Sequence, residues 1–165
     1  MQGDDVRDGW TKLLTAYQWD WFLTMTFRDR KDRQKPDYVH PEMADKLWRV
    51  FVSKLNRRLY GQRWYLTPGK SIYWVRAMEW QKRGVLHYHA LAGDTESLNN
   101  RASRRFWKEE WFLLAGIARI DRVFGIDDVA AYVSKYVVKG GEIDVSPNLA
   151  NYARQLTSLG VGIAH

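Results

Sequence analysis

The chain has 165 residues, a formal net charge of +7 and no cysteine. A chain of this length usually forms one domain with a single core, so we treat residues 1–165 as one domain. The absence of cysteine excludes a disulfide framework, a zinc–cysteine site and cysteine catalysis. The positive charge favours an anionic partner, with nucleic acid as the first candidate and a membrane surface as the second.

Aromatic residues are abundant: the chain has nine Trp, nine Tyr and six Phe. Basic charge mixed with aromatic rings is typical of proteins that bind single strands, because cations meet phosphates and rings stack on bases. No segment approaches the ~18 apolar residues that a membrane span requires. The acidic N-terminus, residues 1–5, lacks the pattern of a signal peptide. We therefore expect a cytoplasmic protein with no membrane partner.

The first half of the chain predicts a strand and a long helix. Residues 19–27 alternate and are rich in β-formers, which predicts a strand, and residues 28–38 form a charged loop. A helix begins at Pro41 and ends near Tyr60. The apolar stripe predicted for this helix comprises Met43, Leu47, Val50, Phe51 and Leu55.

The second half predicts a hairpin, a helix, a strand and a final helix. Strands over 72–80 and 85–93 form the hairpin, and a helix over 103–114 follows. A strand over 116–124 precedes a helix that runs from Asp127 to Gly140–Gly141. The order β-α-β-β-α-β predicts an α+β fold, with a ferredoxin-like or palm-like antiparallel sheet. Its helices lie mainly on one face, and a C-terminal helix follows the core.

The hairpin brings three potential metal ligands onto one face. His87 and His89 alternate with Tyr88, so both imidazoles project from the same side of a strand. A three-residue loop, 82–84, places Glu79 opposite His87, whereas a four-residue loop would turn Glu79 away. The glycine at position 84 favours the three-residue loop. Two imidazoles and a carboxylate predict a divalent cation, Mn²⁺ or Mg²⁺, with Mn²⁺ favoured by the nitrogen ligands.

The last predicted helix carries a repeated pattern of tyrosine and lysine. Tyr132 and Tyr136 lie one turn apart, and each is followed three residues later by a lysine, Lys135 and Lys139. An ammonium group at this spacing can hold a phosphate or favour a phenolate. Alternatively, the tyrosines pack in the core and the lysines solvate the helix.

These motifs resemble those of the HUH endonucleases, and above all the rolling-circle replication initiators (Rep proteins) of plasmids and single-stranded DNA phages. The resemblance covers roughly residues 19–140. It includes the strand 22–27, Glu79 with the His87–His89 motif, and the Tyr-x-x-Lys helix. The doubled tyrosine is similar to that of the two-tyrosine phage subgroup.

The resemblance implies a site-specific single-stranded DNA endonuclease and strand transferase. Tyr132 or Tyr136 would attack the scissile phosphate at a replication origin, forming a 5′-phosphotyrosine link and a free 3′-hydroxyl. The implied metal ligands are Glu79, His87 and His89, and Lys135 and Lys139 would orient phosphate. The implied partners are single-stranded or hairpin origin DNA, with a helicase and a polymerase of a prokaryotic host.

Several basic residues are candidate contacts to the DNA backbone. They lie in the first loop, on the hairpin and in the second predicted helix: Arg28, Arg30, Lys31, Arg33, Lys82, Arg83, Arg104 and Arg105. A solvated charged surface explains them equally well. Three other functions remain open for the chain as a whole: the nuclease domain of a two-tyrosine rolling-circle transposase, a phosphodiesterase that uses water, and a nucleic-acid-binding module without catalysis.

Overall fold

The structure is a computed structural model that describes residues 2–28, 39–67, 69–82, 84–93, 104–139 and 142–149. Its α-helices are α1 (Gln2–Thr15), α2 (Pro41–Tyr60), α3 (Arg104–Leu114) and α4 (Ile126–Tyr132). A π-helical turn, Val133–Val137, continues α4. The strands are β1 (Trp21–Phe27), β2 (Tyr73–Trp80), β3 (Leu86–Gly93), β4 (Gly116–Arg122) and β5 (Ile143–Val145).

The strands form one five-stranded sheet in the order β4-β1-β3-β2-β5. Each neighbouring pair is antiparallel. The predicted β-α-β-β-α-β order is confirmed by β1, α2, β2, β3, α3 and β4, and so is the α+β class with an antiparallel sheet. No pattern in the sequence predicted α1 or the short edge strand β5. Among the described residues, the structure has no helix with the length and apolar composition needed to cross a membrane.

Helices cover the sheet in two layers. The helices of the predicted core, α2 and α3, share one face, where they pack with Leu23 and Met25 of β1. The opposite face is covered by α1 and α4 with its π-helical turn, which pack against Val75, Ala77 and Leu91. Successive side chains of β1 point to opposite faces of the sheet, so Leu23 and Met25 pack in the first layer and Phe22 in the second. The candidate metal ligands and tyrosines belong to the second layer.

The predicted stripe of α2 is only partly correct. Phe51 and Leu55 are fully buried. Met43 and Val50, however, are 43% and 44% exposed, whereas Trp48 is buried. The helix therefore faces the sheet with a stripe centred on Trp48 and Phe51, since a large ring removes more apolar area from water than a methionine or valine side chain.

The β2–β3 turn has the geometry that the three-residue loop requires. The Gly84 amide donates to the carbonyl of Gln81 at 2.8 Å, and the Gln81 amide donates to the carbonyl of Val85 at 2.9 Å. Gly84 has φ of 72°, in the left-handed region that other residues enter at a cost. The turn therefore depends on glycine at this position.

We expect Gly84→Ala to destabilise the fold by about 1 kcal/mol, because a Cβ disfavours the left-handed backbone. No atom lies within 4 Å of the position of that Cβ, so crowding does not contribute. Gly84→Asn should lose less, since asparagine tolerates this region. The measurement is the urea midpoint, with Gly125→Ala as the matched control, because Gly125 is equally open but has an extended φ of 166°. Equal losses at the two glycines would contradict the assignment.

Candidate active site

The register of the hairpin places the candidate ligands on one face. Glu79 pairs with His87, and Ala77 pairs with His89, in the antiparallel β2–β3 ladder. Cross-strand partners share a face, and so do residues two apart on a strand. Glu79, His87 and His89 therefore all project towards the layer of α1 and α4, as the turn chemistry predicted.

Two of these three side chains are in contact. Nε2 of His89 lies 2.6 Å from a carboxylate oxygen of Glu79. His87 is turned to a different partner, since its Nδ1 lies 3.3 Å from the side-chain amide nitrogen of Gln81. The ring centroids of His87 and His89 are 6.4 Å apart. Accordingly, the described residues contain no three His, Cys, Asp or Glu side chains gathered closely enough to hold a metal ion.

Burial disfavours the protonated form of both histidines. Burial lowers the pKa of His87 below its ordinary value of 6.5, against the opposing charge of Glu79. Burial likewise lowers the pKa of His89, although its hydrogen bond to Glu79 works in the other direction. Neutral imidazole is the form that binds a cation. Two imidazoles and a carboxylate fit a divalent cation by donor type, and Glu79 and His89 are in contact, whereas His87 is turned towards Gln81.

Tyr136 lies directly against the histidine–carboxylate pair. Its ring stacks on the His89 imidazole with centroids 4.1 Å apart and planes 19° apart. Phe22 of β1 also stacks with it, with its centroid 5.9 Å from that of Tyr136. The side chain is half-buried, so it is accessible from solvent. The phenol of Tyr136 is therefore both in contact with His89 and accessible to a ligand from solvent.

Tyr132 occupies a different environment. Its side chain is only 3% exposed, and its hydroxyl donates to the backbone carbonyl of His89 at 2.8 Å. Burial raises the pKa of its phenol far above the ordinary value of 10.0, so the phenolate is strongly disfavoured. In this structure, Tyr132 braces the strand that carries His89 and is closed to an external phosphate.

The helix changes its pitch between the two tyrosines. Tyr132 ends α4, and Val133–Val137 form a π-helical turn in which the Val138 amide donates to the Val133 carbonyl. The two rings remain neighbours, with centroids 5.4 Å apart, and both contact Phe22, so what separates them is burial: Tyr132 is 3% exposed and Tyr136 is half-buried. π-helical turns are frequent at functional sites. The uniform helix predicted from the sequence did not anticipate this difference.

The lysines of the repeated pattern are both exposed. The ammonium of Lys135 lies 5.0 Å from the centroid of the Tyr136 ring. A hydrogen bond to the Tyr136 phenol raises the pKa of Lys135 above its ordinary value. Lys135 is therefore charged beside the accessible phenol, where a phosphate oxygen would have a cation to meet.

The comparison with protein families agrees with the resemblance at the family level. Residues 20–141 match the family of the replication-associated protein ORF2. The chain belongs to this family. A search of curated proteins and a search of solved structures found no match. Membership of a replication-associated family makes DNA the partner and DNA replication the process. The matched residues include Glu79, His87, His89 and both tyrosines.

The predicted DNA contacts do not all lie on the side of the fold that carries Glu79 and Tyr136. Lys82 lies in the β2–β3 turn, at the end of the sheet that carries Glu79. Arg104 lies over the ring of Trp21, which belongs to the opposite layer, and Arg105 pairs with Glu109 on α3. Arg28 donates to the carbonyl of Phe112. Four further candidates lie outside the described residues: Arg30, Lys31, Arg33 and Arg83.

The structure adds residues to the site that no sequence motif indicated. A cavity of about 330 Å³ adjoins Tyr136 and Lys135, and Phe124, Asp121 and Arg122 contribute to its walls. These three residues follow or end β4, a region without a recognisable motif. Only the tertiary structure brings the end of β4 beside the π-helical turn, so no signal in the sequence alone could have identified them.

Proposed function

We propose that this protein is a site-specific single-stranded DNA endonuclease and strand transferase that nicks and rejoins DNA at a rolling-circle replication origin. The intermediate is a 5′-phosphotyrosine, and its tyrosine is Tyr136. One observation carries the proposal: in a chain of a replication-associated family, an accessible phenol stacks at 4.1 Å on a histidine that contacts a carboxylate. A binding module without catalysis would have no need of this arrangement.

The reaction follows from the groups around Tyr136. The hydroxyl of Tyr136 gives up its proton to solvent as its oxygen attacks the scissile phosphorus, and a new phosphorus–oxygen bond joins tyrosine to the 5′ side of the downstream DNA. The bond from phosphorus to the 3′ oxygen breaks, and that oxygen takes up a proton to become a 3′-hydroxyl. The ammonium of Lys135 stabilises the phenolate and meets the phosphate charge. Attack by the 3′-hydroxyl of a second strand end reverses the step, so rejoining needs no nucleotide cofactor.

A divalent cation completes the proposed site. Glu79, His87 and His89 are the residues that would hold it, and Mn²⁺ or Mg²⁺ would supply charge stabilisation to the phosphate oxygens. Glu79 and His89 offer adjacent donor atoms, and His87 would exchange its contact with Gln81 for the cation. Tyr132 supports the same strand through its hydrogen bond to the carbonyl of His89.

A labelled pool of single-stranded oligonucleotides of random sequence tests the proposal, because it requires no knowledge of the origin. With Mn²⁺ present, we expect a protein–DNA adduct that survives denaturing electrophoresis. The downstream fragment becomes attached, so a 3′ label should move with the protein and a 5′ label should be released as a shorter strand.

The pattern of labels separates the alternatives. Cleavage of both labelled pools without any adduct would identify a phosphodiesterase that uses water, and would overturn the proposal. Binding without cleavage would indicate a nucleic-acid-binding module and would overturn it as well. Because a chain without cysteine offers no thiol for adventitious cross-linking, an adduct in this assay reports an oxygen or nitrogen nucleophile.

A further inference from the structure

A cavity beside Tyr136 has the composition of a site for a flat aromatic ligand. Its volume is about 330 Å³, within the range of small-molecule sites. One wall is aromatic, formed by Phe22, Tyr132 and Tyr136, and Phe124 contributes to the wall at the end of β4. The rings of Phe22 and Tyr136 already stack on each other, which fixes the orientation of that wall.

Phe124 is unusual among the apolar side chains of the cavity. It is 84% exposed, the highest value for any large apolar residue in the described part of the chain. Its backbone is nonetheless held in place, since its amide donates to the carboxylate of Asp128 at 2.7 Å. A ring that is exposed on a fixed backbone is a ready stacking platform, and unpaired bases stack on such rings.

The charges at the cavity suit a nucleotide rather than a purely apolar ligand. Lys135 and Arg122 supply cations for a phosphate, whereas Asp121 and Asp128 supply carboxylate oxygens. Each carboxylate already accepts one bond, Asp121 from Arg119 and Asp128 from the Phe124 amide. A carboxylate accepts more than one hydrogen bond, so both retain capacity for an amino group of a base.

We propose that this cavity binds one unpaired nucleobase adjacent to the phosphate that Tyr136 attacks, with Phe124 as the stacking platform. The assignment rests on the proposed nicking function for the position of that phosphate. The base stacks against Phe124, its phosphate lies near Lys135 and Arg122, and its polar edge meets Asp121 and Asp128. Because an exocyclic amino group presents two N–H donors to the pair of carboxylates, whereas thymine presents only its ring N3–H, the cavity favours adenine, cytosine or guanine over thymine.

The first test measures binding alone. We expect Phe124→Ala to weaken binding of a fluorescent pool of random single strands about tenfold in an anisotropy titration, since one stacked base is lost. Phe124→Tyr keeps the ring and should bind within about twofold of the wild type. Phe112→Ala is the matched control, because Phe112 is 57% exposed but lines a different cavity, near the outer edge of β4. Equal binding by all four proteins would overturn the nucleobase site.

The second test locates the base. Sequencing of the covalent adducts formed from the random pool should reveal one position next to the cut at which thymine is depleted, and Phe124→Ala should relax that preference. Thymine at its random frequency beside the cut would overturn the role of the carboxylates. If no adduct forms but Phe124→Ala still weakens binding, the nicking function fails while the base site stands. If Phe124→Ala forms adducts as well as the wild type and binds single strands equally tightly, the base site fails while the nicking function stands.

Discussion

Replacement of Tyr136 by phenylalanine should abolish the covalent adduct, with a loss of at least about 1,000-fold in the rate of cleavage, because the attacking oxygen is removed. The ring that stacks on His89 and Phe22 remains, so the fold should be retained. The measurement is adduct formation with the 3′-labelled pool, together with a urea unfolding curve for each variant. If Tyr136 only packs against the histidine, Tyr136→Phe should still form the adduct, and that result would contradict the assignment.

Tyr132→Phe is the matched control, because it removes the same atom from the same residue type four positions earlier. It deletes the hydrogen bond to the carbonyl of His89, which should cost about 1 kcal/mol of unfolding free energy. Adduct formation should persist, since the buried hydroxyl is not the nucleophile. The reverse result, with adducts lost in Tyr132→Phe and kept in Tyr136→Phe, would contradict the assignment. It would also imply that the helix rearranges when DNA binds.

Glu79→Gln and His89→Ala should each weaken Mn²⁺ binding about 100-fold or more, because each removes one of three proposed ligands. Binding is measured directly from the electron paramagnetic resonance signal of free Mn²⁺ as protein is added, which requires no activity. Removal of the cation with EDTA should lower adduct formation to a similar extent, and addition of Mn²⁺ should restore it only in the wild type.

Glu109→Gln serves as the control for this series. Glu109 is a carboxylate on α3 that pairs with Arg105 and lies in the opposite layer of the fold. Its replacement should leave the Mn²⁺ affinity unchanged. If Glu79→Gln and His89→Ala bind Mn²⁺ as tightly as Glu109→Gln does, the proposed metal centre is wrong. The contact between Glu79 and His89 would then serve only to orient the imidazole beside Tyr136.

Short-range chemistry made the hairpin predictable. Gly84 adopts the left-handed conformation that the three-residue loop demands, and the loop length alone sets which residues face each other. The opposition of Glu79 and His87 could therefore be predicted from the sequence. The helices α2 and α3 and the strands β1 and β4 were predictable for the same reason, since periodicity and turn residues are local signals.

Other features depended on contacts between distant parts of the chain. The outward-facing Met43 and Val50 belong to the same helix as the buried Trp48, and only the shape of the sheet beneath decides which side faces inwards. The strand β5 has three residues and exists because it pairs with β2. The helix α1 had no decisive signal in the sequence, and in the structure it packs against α4 and the π-helical turn.

The sequence by itself determined the family-like motifs, the antiparallel sheet and the common face of Glu79, His87 and His89, because turn geometry and strand alternation act over a few residues. Only the tertiary structure distinguished the two tyrosines. Burial against the sheet closes Tyr132, whereas Tyr136 is half-buried and accessible beside His89. Tertiary packing also brought Phe124 to the same cavity. Helix pitch and burial are set by packing between layers, which no spacing of residues along the chain encodes directly.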